Sequence, residues 1–467
     1  MERDNAAARP PTSGRPLASN RPLVLLLLSQ SLGMVARGIY FVSLPLFVLE
    51  RTGSAFSMSL SLFLGFAPFT LAGPFAGAVV DRFSRRDLIV LSNLLYGAAL
   101  FALPFMHAQY LIFANAFIAS LFGVILVNAI SALIPELVDT PHLAKANSLY
   151  TFLRSVTYLL SMFITYFLIG RLGKANVFFI CSLLLLPSGL ICLALRRDRP
   201  SARAWREKAA AGPVAESPAA EGPATGGTPV GIEMPLGAPA AESESLAVAE
   251  RRGAYAGNRG QGRRGFRDAL HVLCSDRHVR GLTLMHLTFM PIFGAFEVLL
   301  PVFCDEKLKN ADYYALVSAG VGAGLALGSL LTYRLLARFR PLGLVFGSFV
   351  GYAVGVFVFS RIGRLAPALA ASAFMGLVDA FGFTTYEYLR QRVVPSALRG
   401  RVFAIMDAVV LLPLPAGYLL MGFFAERTPV ADLGLWLSAA GLCLALLTFP
   451  LTRGLPTLTD RMEGAEP

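Results

Sequence analysis

Residues 77–88, "GAVVDRFSRRDL", place Asp81, Arg82, Arg85 and Arg86 directly after an apolar run that holds no charged side chain from residue 57 onward. An abrupt change from apolar to basic sequence is typical of a transmembrane helix leaving the hydrocarbon layer on the cytoplasmic side. The stretch therefore predicts the inner end of a membrane-spanning helix.

The composition extends this interpretation to most of the chain. Of 467 residues, 55% are hydrophobic and only 15% are charged, with a mean hydropathy of +0.61, whereas about a quarter of the residues of a soluble domain are charged. A helix needs about twenty apolar residues to cross a bilayer. We predict an all-α integral membrane protein with twelve such runs, at residues 22–49, 57–80, 88–106, 109–134, 146–170, 174–195, 280–303, 313–336, 342–360, 365–388, 402–425 and 430–452.

Basic residues in the tails and short loops predict the orientation of the chain. Loops rich in Lys and Arg stay on the cytoplasmic side, and the first run is too long for a cleaved signal peptide. If both termini are cytoplasmic, the basic residues divide seventeen to eight in favour of the inner side. The inner set is Arg3, Arg9, Arg15, Arg21, Arg82, Arg85, Arg86, Lys145, Arg334, Arg338, Arg340, Arg390, Arg392, Arg399, Arg401, Arg453 and Arg461; the outer set is Arg51, Arg171, Lys174, Lys307, Lys309, Arg361, Arg364 and Arg427. The same bias accounts for most of the net charge of +12, so nucleic-acid binding is not needed to explain it.

The predicted runs fall into two groups of six around a segment of different composition. This segment is rich in Ala, Gly, Pro and Glu and cannot bury enough apolar surface to fold. The predicted organisation is a cytoplasmic tail, a six-helix bundle, a disordered cytoplasmic linker, a second bundle and a second tail, at residues 1–21, 22–196, 197–264, 265–453 and 454–467. Residues 265–281 are predicted to form an amphipathic helix on the inner membrane surface before the seventh span.

The two groups also resemble each other as internal repeats. Gly73 and Gly77 lie four residues apart in the second run, and Gly320, Gly324 and Gly328 have this spacing in the eighth. Small residues at this spacing allow two membrane helices to approach closely. Two related six-helix bundles predict a transporter whose halves rock about a central site.

The opening stretch also resembles a known signature. Its pattern Gly-x-x-x-Asp-Arg-x-x-Arg-Arg is similar to the loop between helices two and three in the major facilitator superfamily. Four further stretches resemble the branch of macrolide-efflux and enterobactin-exporter proteins: "LPLFVLERTGSAFSMSL" (44–60), "IPELVDTPHLAKANSL" (134–149), "LLPVFCDEKL" (299–308) and "VVPSALRGRVFA" (393–404). The resemblance implies twelve helices in two repeats around a central cavity and transport by alternating access.

The resemblance also implies roles for the residues of the motif. Gly77 would permit close packing, Asp81 would accept hydrogen bonds in a cytoplasmic contact between the two halves, and Arg85 and Arg86 would be its charge partners, beside Arg82. A carboxylate is stabilised near the N-terminus of a neighbouring helix, and the arginines suit anionic lipid headgroups. The alternative is that these charges only set the orientation.

Ionisable residues inside the spans are candidates for function because they are costly in lipid. Arg37, Glu297 and Asp379 lie in spans that line the cavity in this superfamily. Arg37 could bind an acidic group of the substrate or pair with either carboxylate, and either carboxylate could carry a coupling proton. The alternative is a buried ion pair without a role in transport.

Other polar residues carry weaker signals. Asn115 and Asn128 in the fourth span are further candidates for contact with the substrate, although asparagine also serves as an ordinary hydrogen-bonding group between helices. Glu387, Arg390 and Asp407 lie toward the inner ends of their spans, which favours pairing at an inner gate over substrate contact.

The chain departs from proton-coupled drug transporters of the superfamily at several positions. Its fourth span has no arginine, its fifth span lacks the usual Gly-Pro motif, and Met34 and Arg37 stand where many relatives have an acidic residue. Protons as the coupling ion are therefore an expectation from the resemblance.

Enzymatic functions have little support in the sequence. There is no Gly-Lys-Ser/Thr phosphate-binding loop. The five cysteines (Cys181, Cys192, Cys274, Cys304, Cys443) lack paired spacing for zinc or disulfides, and the five histidines (His107, His142, His271, His278, His286) form no ligand group. We expect no catalytic residues, metal or cofactor.

The prediction is a secondary transporter of a bacterial-type inner membrane that exports an amphipathic small molecule such as a drug or siderophore. We expect a monomer in contact with membrane lipid. Two alternatives remain. One is a lysophospholipid transporter, because "ELVDTPHLAKANSL" (136–149) also resembles those proteins. The other is a membrane sensor or scaffold that does not transport and binds partners through its linker.

Overall fold

The fold is nearly all helical in the computed structural model, which describes residues 20–72, 76, 79–80, 82–138, 140–195, 270–336, 338–394, 399–448 and 450. These residues contain helices and turns, and no strand is present among them. The α-helices are α1 (Arg21–Thr52), α2 (Ala55–Leu71), α3 (Arg85–Ala102), α4 (Gln109–Leu137), α5 (Thr140–Leu172), α6 (Val177–Leu193), α7 (Arg277–Glu306), α8 (Tyr313–Leu336), α9 (Pro341–Arg361), α10 (Leu365–Val393), α11 (Arg399–Leu411), α12 (Leu414–Ala425) and α13 (Val430–Thr448).

Ten helical segments within these described ranges are long and apolar enough to cross a membrane. α2 and α6, with 17 residues each, are apolar but shorter, and they stand where the second and sixth spans are predicted. The predicted all-helical membrane protein is therefore confirmed. The count of twelve full-length spans stays a prediction, because ten segments reach that length, one of which, Ile405–Ala425, runs through α11 and α12.

The ends of α1 show how local sequence sets a helix boundary. Asn20 caps the helix, since its side chain accepts a hydrogen bond from the Leu23 N–H at 3.2 Å. Its amide also donates to the Leu137 carbonyl at 2.6 Å, which joins the start of α1 to the end of α4. At the other end, Gly53 adopts φ +62°, a left-handed conformation that glycine favours, and its N–H donates a hydrogen bond to the Leu49 carbonyl.

One predicted boundary is wrong, and one predicted span contains a break. The predicted surface helix was expected to reach residue 281, but the helix before the seventh span ends before Asp276. The Asp276 carboxylate caps α7, because it accepts hydrogen bonds from the N–H groups of His278 and Val279 at 2.8 and 3.1 Å. The predicted eleventh span, 402–425, corresponds to one apolar segment at Ile405–Ala425. A turn at residues 412–413 separates α11 from α12 within it, where Pro413 and Pro415 remove N–H donors. The predicted linker at 197–264 and most of both tails lie outside the described residues.

The glycine spacing in α8 produces the expected close approach. A Cβ added to Gly324 would overlap the Ala373 carbonyl of α10, and one added to Gly328 would lie 2.5 Å from the Leu377 carbonyl oxygen. Backbone therefore meets backbone along this seam, which confirms the prediction for the second half. Gly73, the equivalent position in the first half, lies outside the described residues.

Helix packing repeats between the two halves. In the first half α1 packs on α5 and α6, α2 on α4, and α3 on α4 and α6. In the second half α7 packs on α11, α12 and α13, α8 on α10, and α9 on α10 and α13. Each helix contact of the first half has a counterpart six spans later in the second half, if α11 and α12 are counted together as the eleventh span. This correspondence is expected for two related bundles.

The halves meet through α2 against α12 and through α5 against α8. These two contacts are equivalent, since they pair the second span with the eleventh and the eighth with the fifth. We call the face at which α1 begins the proximal face and the opposite face the distal face.

Candidate functional site

Arg37 lies near the middle of α1 and is partly exposed. Its Nη2 donates to Gln30 Oε1 at 3.5 Å, and its buried Nη1 has no hydrogen-bond partner in the structure. The guanidinium lies against Gly33 of its own helix and close to Ser188 of α6. Among the described residues no ion pair joins Arg37 to a carboxylate, so the structure does not show the predicted pairing with Glu297 or Asp379.

Glu297 lies on α7, ~14 Å before its distal end at 1.5 Å per residue, and is partly exposed. Its Oε2 accepts the hydroxyl of Tyr418 on α12 at 2.6 Å. Tyr158 of α5 and Tyr314 of α8 also interact electrostatically with the carboxylate. Glu297 therefore lies where both halves meet, with tyrosines from three other helices around it.

Asp379 lies at the middle of α10 and is also partly exposed. Tyr352 of α9 interacts electrostatically with this carboxylate and with Glu297. The structure gives Asp379 neither a hydrogen bond nor an ion pair with another described residue. The second half therefore supplies two carboxylates, and the first half supplies Arg37.

The two predicted asparagines both donate to backbone carbonyls, and only Asn115 makes the hydrogen bond between helices that was the alternative to substrate contact. Asn115 donates to the Ala99 carbonyl of α3 at 2.9 Å, and Asn128 donates to the Val124 carbonyl of its own helix at 2.8 Å. Asn115 therefore ties α4 to α3. A contact of either residue with substrate stays a prediction.

The described part of the 77–88 motif lies at the proximal face. Arg82 is exposed, Arg85 forms an ion pair with Glu136 near the end of α4, and Arg86 Nε lies 3.9 Å from Asp87. The Arg85–Glu136 pair joins α3 to α4 within the first half. Gly77 and Asp81 lie outside the described residues, so their roles stay predictions.

A charge cluster with two buried members lies at the proximal end of the second half. Arg390 on α10 lies 2.6 Å from Glu387 of the same helix and 2.5 Å from Asp407 of α11. Its guanidinium also lies over the ring of Phe403, 4.5 Å from the centroid. We call Glu387, Arg390 and Asp407 the proximal cluster; its members are the residues predicted to pair near the inner ends of their spans.

Several contacts close the distal face between the two halves, and we call them the distal seal. Glu426, at the end of α12, accepts hydrogen bonds from the Ser54 hydroxyl and from the Phe56 N–H at 3.3 Å. One turn deeper, Gly422 packs directly on Ser59 of α2.

The second part of the distal seal joins α5 to α8. Lys174 lies 3.2 Å from Asp312 across the halves and 3.6 Å from Glu50 within the first half. Tyr166 stacks on Tyr313 beside this pair, with ring centroids 6.2 Å apart. The seal therefore combines charged, aromatic and close-packed contacts.

We expect Lys174→Gln to weaken the distal seal modestly. Loss of a partly exposed ion pair costs about 0.5–1 kcal/mol, so the distal face should open about two- to fivefold more often. Labelling of a single cysteine at Leu62, which is buried on α2 one turn below Ser59, by a membrane-impermeant maleimide, in a variant without native cysteines, measures the opening. Arg171→Gln removes an exposed charge at the same face and serves as the control; an equal labelling rate in both variants would contradict the role of Lys174.

Metal binding has no support in the part of the chain that the structure describes. No group of three or more His, Cys, Asp or Glu side chains that could hold a metal ion occurs there. The five cysteines are free.

Comparison with known proteins agrees with this architecture. The model of the Major Facilitator Superfamily matches residues 26–417. This chain belongs to the major facilitator superfamily. It is therefore an integral membrane transporter that handles a small molecule, and not an enzyme.

Named members of the superfamily match over nearly their whole length. Macrolide efflux protein A from Streptococcus pyogenes is 21% identical over 435 residues, which cover 90% of this chain and 93% of that protein. The multidrug efflux pump Tap from Mycolicibacterium fortuitum is 24% identical over 445 residues, covering 92% and 96%. The predicted resemblance to macrolide-efflux proteins is confirmed.

Solved structures of the superfamily share the fold. The crystal structure of the nucleoside transporter NupG superposes with a TM-score of 0.65 over 92% of this chain and 99% of that chain, at 12% identity. At this identity the likeness shows the fold alone.

The sequence prediction missed the tyrosines around Glu297. Tyr158, Tyr314 and Tyr418 come from three different spans, so no spacing along the chain connects them. A possible signal was the tyrosine hydroxyl itself, since a buried hydroxyl within an apolar span usually has a polar partner.

Proposed function

We propose that this protein exports an amphipathic small molecule across a bacterial plasma membrane by alternating access, with both termini in the cytoplasm. The names of its relatives, a macrolide efflux protein and a multidrug efflux pump, support export of a drug-like compound. The excess of basic residues in loops of the proximal face supports assignment of this face to the cytoplasm. On this assignment the distal face is extracellular.

The distal seal is the observation that carries this proposal. It joins the two halves on the extracellular side through α2–α12 and α5–α8 contacts, from Lys174–Asp312 to Gly422–Ser59. Partly exposed charges lie midway along the helices below it. We interpret the structure as the state closed to the outside, from which an exporter accepts its substrate on the cytoplasmic side.

Arg37, Glu297 and Asp379 are the proposed substrate and coupling residues. Arg37 has an unpaired buried N–H group, which suits an acidic group of a substrate such as a siderophore. Each carboxylate lacks a cationic partner among the described residues, which suits a proton or a cationic group of a drug. We propose protons as the coupling ion and a monomer in contact with lipid as the functional form.

Flux into proteoliposomes tests the proposal. Purified protein is reconstituted and offered dyes, macrolides, siderophores and labelled lysolipids, with and without an imposed pH gradient. We expect gradient-driven flux of at least one drug-like compound, and a loss of about tenfold or more in Glu297→Gln or Asp379→Asn because each removes a site for the coupled proton. Arg37→Ala should impair only acidic substrates.

The controls separate the alternatives. Asp305→Asn removes an exposed carboxylate at the distal end of the helix that carries Glu297, and it should transport like the wild type. Movement of lysolipid alone would replace the exporter with a lipid transporter. No flux of any compound under either condition would contradict transport and favour a sensor.

A further inference from the structure

A groove lies between α9 and α10 on the outer surface of the second half, near the distal face. Its volume is about 400 Å³, and all the residues that line it are apolar. Three of them, Gly355, Ala370 and Ala371, are small, which leaves space between the two helices. The groove therefore suits an aliphatic chain and not a polar ligand. We call it the α9–α10 groove.

The α9–α10 groove faces the lipid. Val354, Val358 and Phe374 line it, and all three side chains are exposed. α9 packs mainly on α10 and α13, and α10 packs mainly on α8 and α9, whereas the two halves meet through other helices. Within the described ranges no helix covers the groove. In a membrane-spanning protein such a surface is in contact with acyl chains.

The length of the groove is close to the depth of one leaflet. Along α9 it runs from Ile362 at the distal end to Val354, which at 1.5 Å per residue is ~12 Å. The hydrocarbon core is about 30 Å thick, so one leaflet supplies ~15 Å of it. An acyl chain that enters at the distal face can therefore follow the groove for most of its depth.

Two arginines stand at the distal end of the groove. Arg361 and Arg364 flank Ile362, and both are exposed. The Arg361 guanidinium lies over the Phe357 ring, 5.4 Å from the centroid. Neither arginine forms an ion pair in the part of the chain that the structure describes, although the exposed carboxylate of Asp432 begins the neighbouring α13. Guanidinium groups bind phosphate through paired hydrogen bonds, so this end of the groove suits an anionic headgroup.

The start of α10 adds to this positive charge. The helix begins at Leu365 without a side-chain cap, so its first N–H groups and the positive end of its dipole lie at the distal face. Phosphate is stabilised at such a helix end. The feature acts together with the two arginines and the groove between the helices, and a phospholipid combines the phosphate and the chain that they require.

We propose that the α9–α10 groove, Arg361 and Arg364 form a binding site for an anionic phospholipid of the distal leaflet. One acyl chain lies in the groove, and the phosphate lies between the arginines. This inference goes beyond the proposed function, because the site lies away from the junction of the halves and does not depend on what is transported.

Quenching of one tryptophan by brominated lipids tests the site. Trp205 and Trp436 are the two tryptophans of the chain; both are replaced by Phe in the full-length protein, and Phe374→Trp places a single fluorophore in the groove. The protein is reconstituted in phosphatidylcholine vesicles in which a rising fraction is brominated phosphatidylglycerol or, in a parallel series, brominated phosphatidylcholine. We expect the anionic lipid to be preferred by about five- to thirtyfold, because two arginines attract it.

Variants in this background separate the headgroup from the chain. Arg361→Gln with Arg364→Gln should abolish the preference, whereas Arg361→Lys with Arg364→Lys should keep most of it because the charge remains. Arg171→Gln removes another exposed arginine at the distal face and should change nothing.

Ala371→Phe tests the groove, since the added ring fills the space of the acyl chain and should abolish most of the preference. Ala98→Phe, at an exposed position of α3 at a similar depth, is the matched control and should keep it. Thermal unfolding of each variant identifies any that fails to fold.

Each remaining outcome would overturn the site. Equal quenching by the two lipids would remove the specificity, and a preference that survives loss of both arginines would remove the headgroup contact. A preference that is lost with the arginines but unaffected by Ala371→Phe would mean attraction of headgroups to the surface alone. Little quenching by either lipid would mean that a second copy of the chain covers the groove. None of these results depends on flux, so the proposed function is tested separately.

Discussion

The Gly422→Ala variant is expected to lose most transport, because it prevents closure of the distal face. An added methyl group would overlap the Ser59 side chain of α2 and lie 3.2 Å from the Ala55 carbonyl oxygen. Rotation of the Ser59 hydroxyl cannot relieve this overlap, since its Cβ is also too close. Overpacking of this kind costs about 1–3 kcal/mol, which shifts the equilibrium toward the outward-open state by roughly 5- to 150-fold.

Two measurements check this result. Flux into proteoliposomes reports transport, and electron paramagnetic resonance between spin labels at Arg171 and Arg427 reports the separation of the halves at the distal face. Both positions are exposed there, one in each half. The expected result is lower flux with a longer distance between the labels.

Two further variants serve as controls for Gly422→Ala. Gly347→Ala adds a methyl group on α9 where nothing lies within 4 Å, so it should leave flux and distance unchanged. Ser59→Gly combined with Gly422→Ala removes the overlapping atoms and should restore closure. Normal flux in Gly422→Ala alone would show that the distal seal is not part of the transport cycle.

Arg390→Met is expected to lower the stability of the folded protein more than other single charge removals. It removes the guanidinium that lies 2.6 Å from Glu387, whose side chain is only 12% exposed. Breaking a buried ion pair by removing one member costs about 3–5 kcal/mol. The measurement is thermal unfolding in detergent, followed by tryptophan fluorescence or by loss of the monodisperse peak.

A matched control is available on the same helix. Arg392 is exposed, so Arg392→Met should change stability little. The double variant Glu387→Met with Arg390→Met removes both buried charges and should recover much of the loss, because Asp407 is half exposed and can be hydrated. Wild-type stability in Arg390→Met would contradict a structural role for the proximal cluster.

The membrane-spanning class and the family were predictable from the sequence. Long apolar runs predict spans because every residue of a helix in lipid satisfies its backbone groups locally. The glycine spacing of α8 likewise predicted its close contact with α10, since small residues at this spacing let the neighbouring helix approach closely. The predicted surface helix was wrong at its end, where Asp276 caps the next helix, and the break at Pro413 within the eleventh span was not predicted.

The candidate site was only partly predictable. Arg37, Glu297 and Asp379 could be selected as charged residues within apolar runs, but their partners could not. Arg37 reaches Gln30 on its own helix, and Glu297 reaches Tyr418. Which way each side chain turns depends on helix rotation and tilt, which packing decides.

The sequence by itself determined that this chain is a helical membrane transporter of a known superfamily, because apolar length and local motifs act along the chain. The tertiary structure alone decided that the distal face is closed and that Glu297 lies among tyrosines of both halves. The physical reason is that contacts between spans depend on how whole helices pack and on how the two halves meet.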